Sequence, residues 1–189
     1  MALGEATHGN KEFQQLKLDI FKIMVEDYGV RAFSLEGDYG GCEAVNRYIH
    51  GGDGTIKDAH LADVLLQNME LGKYIDNAGE INIHRDKMMA ENIIWILKQE
   101  EARENGRIFI SGHNGHVKKS GNYDANNKVM GNLLADEIGN EYFVIGTDFY
   151  KTTCNLPVDE NGKRKNYIIY SYDPMIYVSD AHPIEVIED

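Results

Sequence analysis

Glu5, His8, Glu36, His113 and His116 are the side chains of this sequence best suited to chemistry, and all stand just after short apolar runs. Glu5 and His8 belong to Gly4-Glu5-Ala6-Thr7-His8-Gly9, Glu36 to Leu35-Glu36-Gly37-Asp38, and the last two to Gly112-His113-Asn114-Gly115-His116. The preceding runs, Ala2-Leu3, Arg31-Ala32-Phe33-Ser34-Leu35 and Arg107-Ile108-Phe109-Ile110-Ser111, read as β-strands. Ligands of parallel α/β sheets gather outside the carboxyl ends of the strands. The spacing therefore predicts two carboxylates and three imidazoles at one sheet edge.

Glu5 and His8, three residues apart at a strand-to-helix turn, can face one space. The positive end of the following helix favours a neutral ring, the form a general base needs. Taken alone, E-x-x-H is more often a solvated loop histidine beside a helix capped by Thr7 or Asn10. Glu36 could orient a histidine, receive its proton, or accept backbone N–H groups of the turn from Gly37 to Gly41. Two chemistries suit the set. His8, His113 and His116 with a carboxylate are adequate ligands for zinc or another transition ion. Alternatively, one histidine activates water while the others bind the developing oxyanion or protonate the leaving group. Spacing does not separate the two, although H-E-x-x-H is absent. Ser111 lies outside any G-x-S-x-G elbow, and Cys42 and Cys154 read as small packed residues. Arg85-Asp86 reads as the N-terminal cap of a helix with a neighbouring salt bridge, leaving Arg85 available to a pocket rim.

The elements that must hold these residues alternate along the chain. Phe13, Leu16, Ile20, Phe21, Met24, Val25 and Tyr28 recur at helical spacing, predicting a helix from Lys11 to Tyr28 closed by Gly29. Further helices are expected over Glu43–Ile49, Lys57–Asn77, Arg85–Asn105 and Asn127–Ile138, with a strand at Tyr142–Ile145. Beyond Pro157, Asn166–Tyr172 and Ile176–Val178 read as strands without a helix between them. The pattern predicts an α/β fold, a mostly parallel sheet flanked by helices, with an antiparallel edge or hairpin at the C-terminal end.

The 189 residues suffice for one core and suggest a single domain over 1–189. With 19 basic against 31 acidic side chains, the formal charge is −12, which disfavours nucleic acid as a partner. No run is long and apolar enough for a membrane span, no signal peptide opens the chain, and two cysteines give no disulfide framework. A cytoplasmic setting and a small-molecule partner are expected; the oligomeric state is not legible.

At these residues the chain resembles the erythromycin esterase family. The resemblance rests on Ala2-Leu3-Gly4-Glu5-Ala6-Thr7-His8-Gly9 with Glu12-Phe13, and on Phe33-Ser34-Leu35-Glu36-Gly37-Asp38 with Val45-Asn46-Arg47-Tyr48-Ile49. It continues through Arg85-Asp86-Lys87-Met88-Met89-Ala90-Glu91-Asn92 and Gly112-His113-Asn114-Gly115-His116-Val117. Such a resemblance implies hydrolysis of ester or lactone bonds, macrolides among the known substrates, without a covalent intermediate. His8 would be the base that activates water, Glu5 and Glu36 would orient and polarise the histidines, and His113 and His116 would complete the pocket. Substrate contacts are expected from Lys17, which stands where some members carry arginine, and from Asn114 and Arg85. No cofactor is expected, although a divalent metal at His8, His113 and His116 is the alternative. The chain is shorter than the family's full-length members and reads as a shortened or fragmentary one. A third reading is a catalytically idle member that only binds a small molecule.

Overall fold

Four short strands form the sheet that sets the site. The computed structural model describes residues 1–8, 10–37, 39–52, 78–157, 164–170 and 177–181. Strand β1 (Ala2–Glu5) lies inside the sheet, with β3 (Ile108–His113) on one side and β4 (Val144–Ile145) on the other. Strand β2 (Ala32–Leu35) pairs with the far side of β3, giving the order β2-β3-β1-β4, parallel throughout. The register puts Glu5 level with His113, Gly4 with Gly112, and Leu35 with Ser111. The three motif-bearing strands thus end at nearly one height.

Alternation along β1 and β3 divides the core into two layers. Ala2, Ile108 and Ile110 pack with Ala90, Ile93 and Leu97 of α3 (Ala78–Glu101) and with Met130 and Leu134 of α5 (Met130–Ile138). Leu3 and Phe109 face the opposite way, onto Ile20, Phe21 and Met24 of α1 (Lys11–Glu26). Phe109 and Leu134 are fully buried, each burial stabilising the fold by about 1.5–3 kcal/mol. Helix α1 ends in the predicted manner: Gly29, at φ +63°, donates its N–H to the Val25 carbonyl at 3.2 Å. A left-handed backbone of this kind is cheap for glycine and costly for other residues. Val25 and Tyr28 do not join the buried face as expected; they are exposed, because the inward stripe runs through Phe13, Lys17, Ile20, Phe21 and Met24.

Short elements complete the edge. Helix α2 (Tyr39–Ile49) follows β2, and α4 (Asn114–Val117) follows β3 with no intervening residue. A second sheet contains β5 (Asp148–Pro157), β6 (Arg164–Tyr170) and β7 (Tyr177–Ala181) in the order β6-β5-β7. β5 and β6 are antiparallel, as the C-terminal reading expected, whereas β7 joins β5 in parallel. The Phe13 and Phe149 rings, 6.3 Å apart, connect this sheet to α1. The helix expected over Lys57–Asn77 lies outside the described residues, as does the Cys154 side chain. Among the described residues, no helix is long and apolar enough to cross a membrane.

Candidate active site

Glu5 closes β1 with its side chain buried, and its two oxygens are fully engaged. One accepts from His8 Nδ1 at 2.7 Å; the other meets Lys17 Nζ at 2.9 Å and accepts from the Gln14 amide. Burial is the largest influence on the Glu5 carboxyl and would raise its pKa. The His8 hydrogen bond and the Lys17 charge prevail and hold it below the ordinary value. The turn bearing His8 is tied down from below. Asn10, fully buried, accepts from the Thr7 hydroxyl and donates to Thr152 Oγ1 at 2.7 Å, bridging to β5. Asn10 occupies the N-cap position of α1 but its side chain makes no capping bond there.

His8 is the solvent-facing member, its side chain 64% exposed. With Glu5 on Nδ1, its Nε2 points across the cleft to Glu36 Oε1, 3.9 Å away. The Glu5 hydrogen bond is the main reason the His8 pKa is raised; burial opposes it, and the Glu36 charge adds to it. The helix end was expected to favour a neutral ring. Two carboxylates outweigh it.

Glu36, just past β2, gathers the other side of the site. Its Oε2 accepts the His113 backbone N–H at 2.6 Å, and its Oε1 receives Arg85 Nη2 at 2.9 Å. His116 Nε2 lies 3.3 Å from the same Oε1. Burial would raise this carboxyl, but the His113 N–H, the His116 ring and the Arg85 guanidinium together hold it low. Glu36 therefore faces histidines and not merely its own turn. A cavity of about 160 Å³ lies at the opposite end of the sheet, lined by Met1, Ile93, Ile138 and Tyr142 among others, away from these groups.

The two motif histidines differ. His113 is bound at both nitrogens: Nδ1 accepts the Gly115 N–H at 3.0 Å, and Nε2 lies 3.0 Å from the Ala6 carbonyl. The ring is therefore the Nε2–H tautomer, with burial lowering its pKa most, and it caps α4. His116, one turn later, brings Nδ1 to 2.5 Å from Asp86 Oδ1 and Nε2 to 3.3 Å from Glu36. The His8 and His113 rings lie 5.2 Å apart, and those of His113 and His116 6.4 Å apart.

Lys17 and Asn114, expected as substrate contacts, are engaged within the protein. Lys17 is buried between Glu5 and the Gly112 carbonyl, 3.3 Å away, because it lies on the inward stripe of α1. Asn114 donates to the Thr147 carbonyl at 2.6 Å and accepts the Thr147 N–H at 3.3 Å, so its amide holds the corner between β4 and β5. Arg85, partly exposed, does stand at the rim. Its neighbour Asp86 is no N-terminal cap of α3; it lies more than two turns inside that helix and is fully buried. Asp86 was missed, although Asp86, Ala90, Ile93 and Leu97 form one buried stripe of α3 on which an aspartate is out of place.

The rings do not share a set of free nitrogens for a metal. Both nitrogens of His113 are committed to backbone, and Nδ1 of His8 and of His116 face carboxylates. Among the described residues, no group of three or more His, Cys, Asp or Glu side chains is arranged to hold a metal ion.

A profile of the erythromycin esterase family matches residues 59–169, more than half of the chain. The chain belongs to the erythromycin esterase family. That membership places it among hydrolases of the esterase type. The match takes in Arg85, Asp86 and the His113–His116 motif, while Glu5, His8 and Glu36 stand before it. Two solved structures share the fold. One is a Bacillus cereus protein, 18% identical, covering 92% of this chain and 71% of its own, with a TM-score of 0.58. The other, described as a succinoglycan biosynthesis protein, is 16% identical, covers 89% and 70%, and has the same TM-score. Comparison with curated proteins finds no match.

Proposed function

We propose that this erythromycin esterase family member hydrolyses a carboxylic ester or lactone by water activated at His8. The observation that carries the reading is the Glu5–His8–Glu36 line: a carboxylate on Nδ1 of a largely exposed ring, and Nε2 3.9 Å from a second carboxylate. That separation is too long for a direct hydrogen bond and leaves one water able to touch both atoms. Nε2 would take a proton from that water as its oxygen attacks the carbonyl carbon. The resulting imidazolium would return the proton to the departing alkoxide, so acid and alcohol form with no net change at the protein. Glu5 stabilises the ring in its charged form throughout. Arg85, partly exposed beside Glu36, is the cation best placed for the oxyanion that develops on the carbonyl oxygen.

The substrate class remains as the family suggests, macrolide lactones among them, with antibiotic inactivation as the consequence. Chromogenic esters and a macrolide, assayed with wild type and His8→Ala, test the reading. Hydrolysis that His8→Ala abolishes supports it; equal rates in the two proteins, or none in the wild type, sink it.

A further inference from the structure

We propose that Asp86 is a positioning residue of this site: its carboxylate holds the proton of His116 on Nδ1 and turns Nε2 toward Glu36. The reaction it would serve rests on the hydrolase reading above; the geometry does not. Asp86 is fully buried within α3, where an ionised carboxylate costs stability unless its oxygens are engaged. Oδ2 accepts the Met130 N–H at 3.0 Å, at the start of α5. Oδ1 lies 2.5 Å from His116 Nδ1, off the line of a straight hydrogen bond. Neither atom has a hydrogen-bond partner among the described residues, which leaves each as the other's nearest complement. Holding α5 requires one acceptor oxygen, which an uncharged side chain could supply. The second oxygen is aimed at the histidine.

The arrangement repeats the one around His8. In each case a buried carboxylate meets Nδ1 and Glu36 Oε1 faces Nε2, at 3.9 Å from His8 and 3.3 Å from His116. Glu36 thus stands between two histidine–carboxylate pairs, one open to solvent and one closed. A carboxylate that accepts from Nδ1 selects the tautomer and the ring orientation of its histidine, so Asp86 decides which nitrogen reaches the cleft.

Asp86→Asn separates the two duties. Asparagine has one oxygen, which can stay on the Met130 N–H, and then its amide N–H₂ faces His116 Nδ1. Full-length wild type and Asp86→Asn are compared by long-range ¹H–¹⁵N NMR of the histidine rings above their titration, without substrate. We expect His116 as the Nδ1–H tautomer in wild type and as Nε2–H in the variant, with a similar melting midpoint. With a chromogenic ester, kcat is expected to fall at least about 10-fold with KM little changed. A wild-type His116 found as Nε2–H overturns the proposal even if the variant does not fold. An unchanged tautomer in the variant, or a flipped tautomer with an unchanged kcat, overturns it too. A wild type that hydrolyses no ester fails the hydrolase reading instead, and the tautomer then judges Asp86 alone.

Discussion

At the scale of single residues, His8 makes the sharpest prediction. If it is the base, His8→Ala lowers kcat/KM by about 100-fold or more, the usual size of a general-base contribution, while the thermal midpoint barely moves. The small stability cost follows from its exposed side chain. Its raised pKa sets the sign of the pH profile. The neutral base is populated only above that raised value, so kcat/KM climbs with pH on a limb above the ordinary 6.5. Glu5→Gln removes the main cause of the shift; the limb moves to lower pH and the plateau falls. A limb that stays in place would contradict the assigned pairing. The placement of these residues was legible in the sequence, because Glu5 and His113 end strands and His8, Glu36 and His116 follow within three residues of one. Asp86 was not: Arg85-Asp86 resembles a cap, and only a helix already running at Ala78 reveals the aspartate as an interior residue. The Lys17–Glu5 pair was not legible for a related reason: only the inward stripe of α1 brings the two together.

Among the elements, the approach of α4 to β1 leaves no room for a side chain at Gly4. A Cβ there would lie 2.2 Å from Asn114 Oδ1 and 2.9 Å from Val117 Cγ2. Gly4→Ala must push α4 away from the sheet, and α4 contains His116 and follows His113 directly. Overpacking of this kind costs about 1–3 kcal/mol. Urea unfolding should show that loss, and esterase activity should fall by more than the unfolded fraction explains. Native stability in Gly4→Ala would mean that α4 is free to shift. The parallel order was readable because β1, β2 and β3 are short apolar runs, each followed by a helix. The ten-residue β5 was less so: Asp148–Pro157 mixes polar and apolar residues without strict alternation, and its partners lie elsewhere in the chain. Tertiary pairing, not local pattern, makes it a strand.

For the molecule as a whole, acid is the expected weakness. The Glu5 and Glu36 carboxyls are held below the ordinary 4.5 in the folded state. The stability they contribute is complete above the unfolded value and drains away as pH falls through the folded ones. His8 has the opposite sign: its contribution is present below 6.5 and is lost as pH rises through its raised value, a small effect for an exposed ring. Scanning fluorimetry should therefore find a flat melting midpoint near pH 6 and a steep decline below about pH 4.5. A midpoint as high at pH 3.5 as at pH 6 would show that the buried carboxylates do not support the fold. Net charge and composition carry no information about where these few acids sit.

The buried Lys17–Glu5 contact also constrains how such a sequence can change over generations. Losing either partner alone strands a charge in the interior, at a cost of about 3–5 kcal/mol, comparable with the whole margin of a small domain. Losing both together can be nearly neutral. Loss of the positive charge at position 17 is therefore barred unless position 5 changes with it, and position 5 holds the ring of His8. A buried lysine is in this way tied to the residue that holds His8, and a relative that had lost the use of that ring would be the first free to exchange the pair.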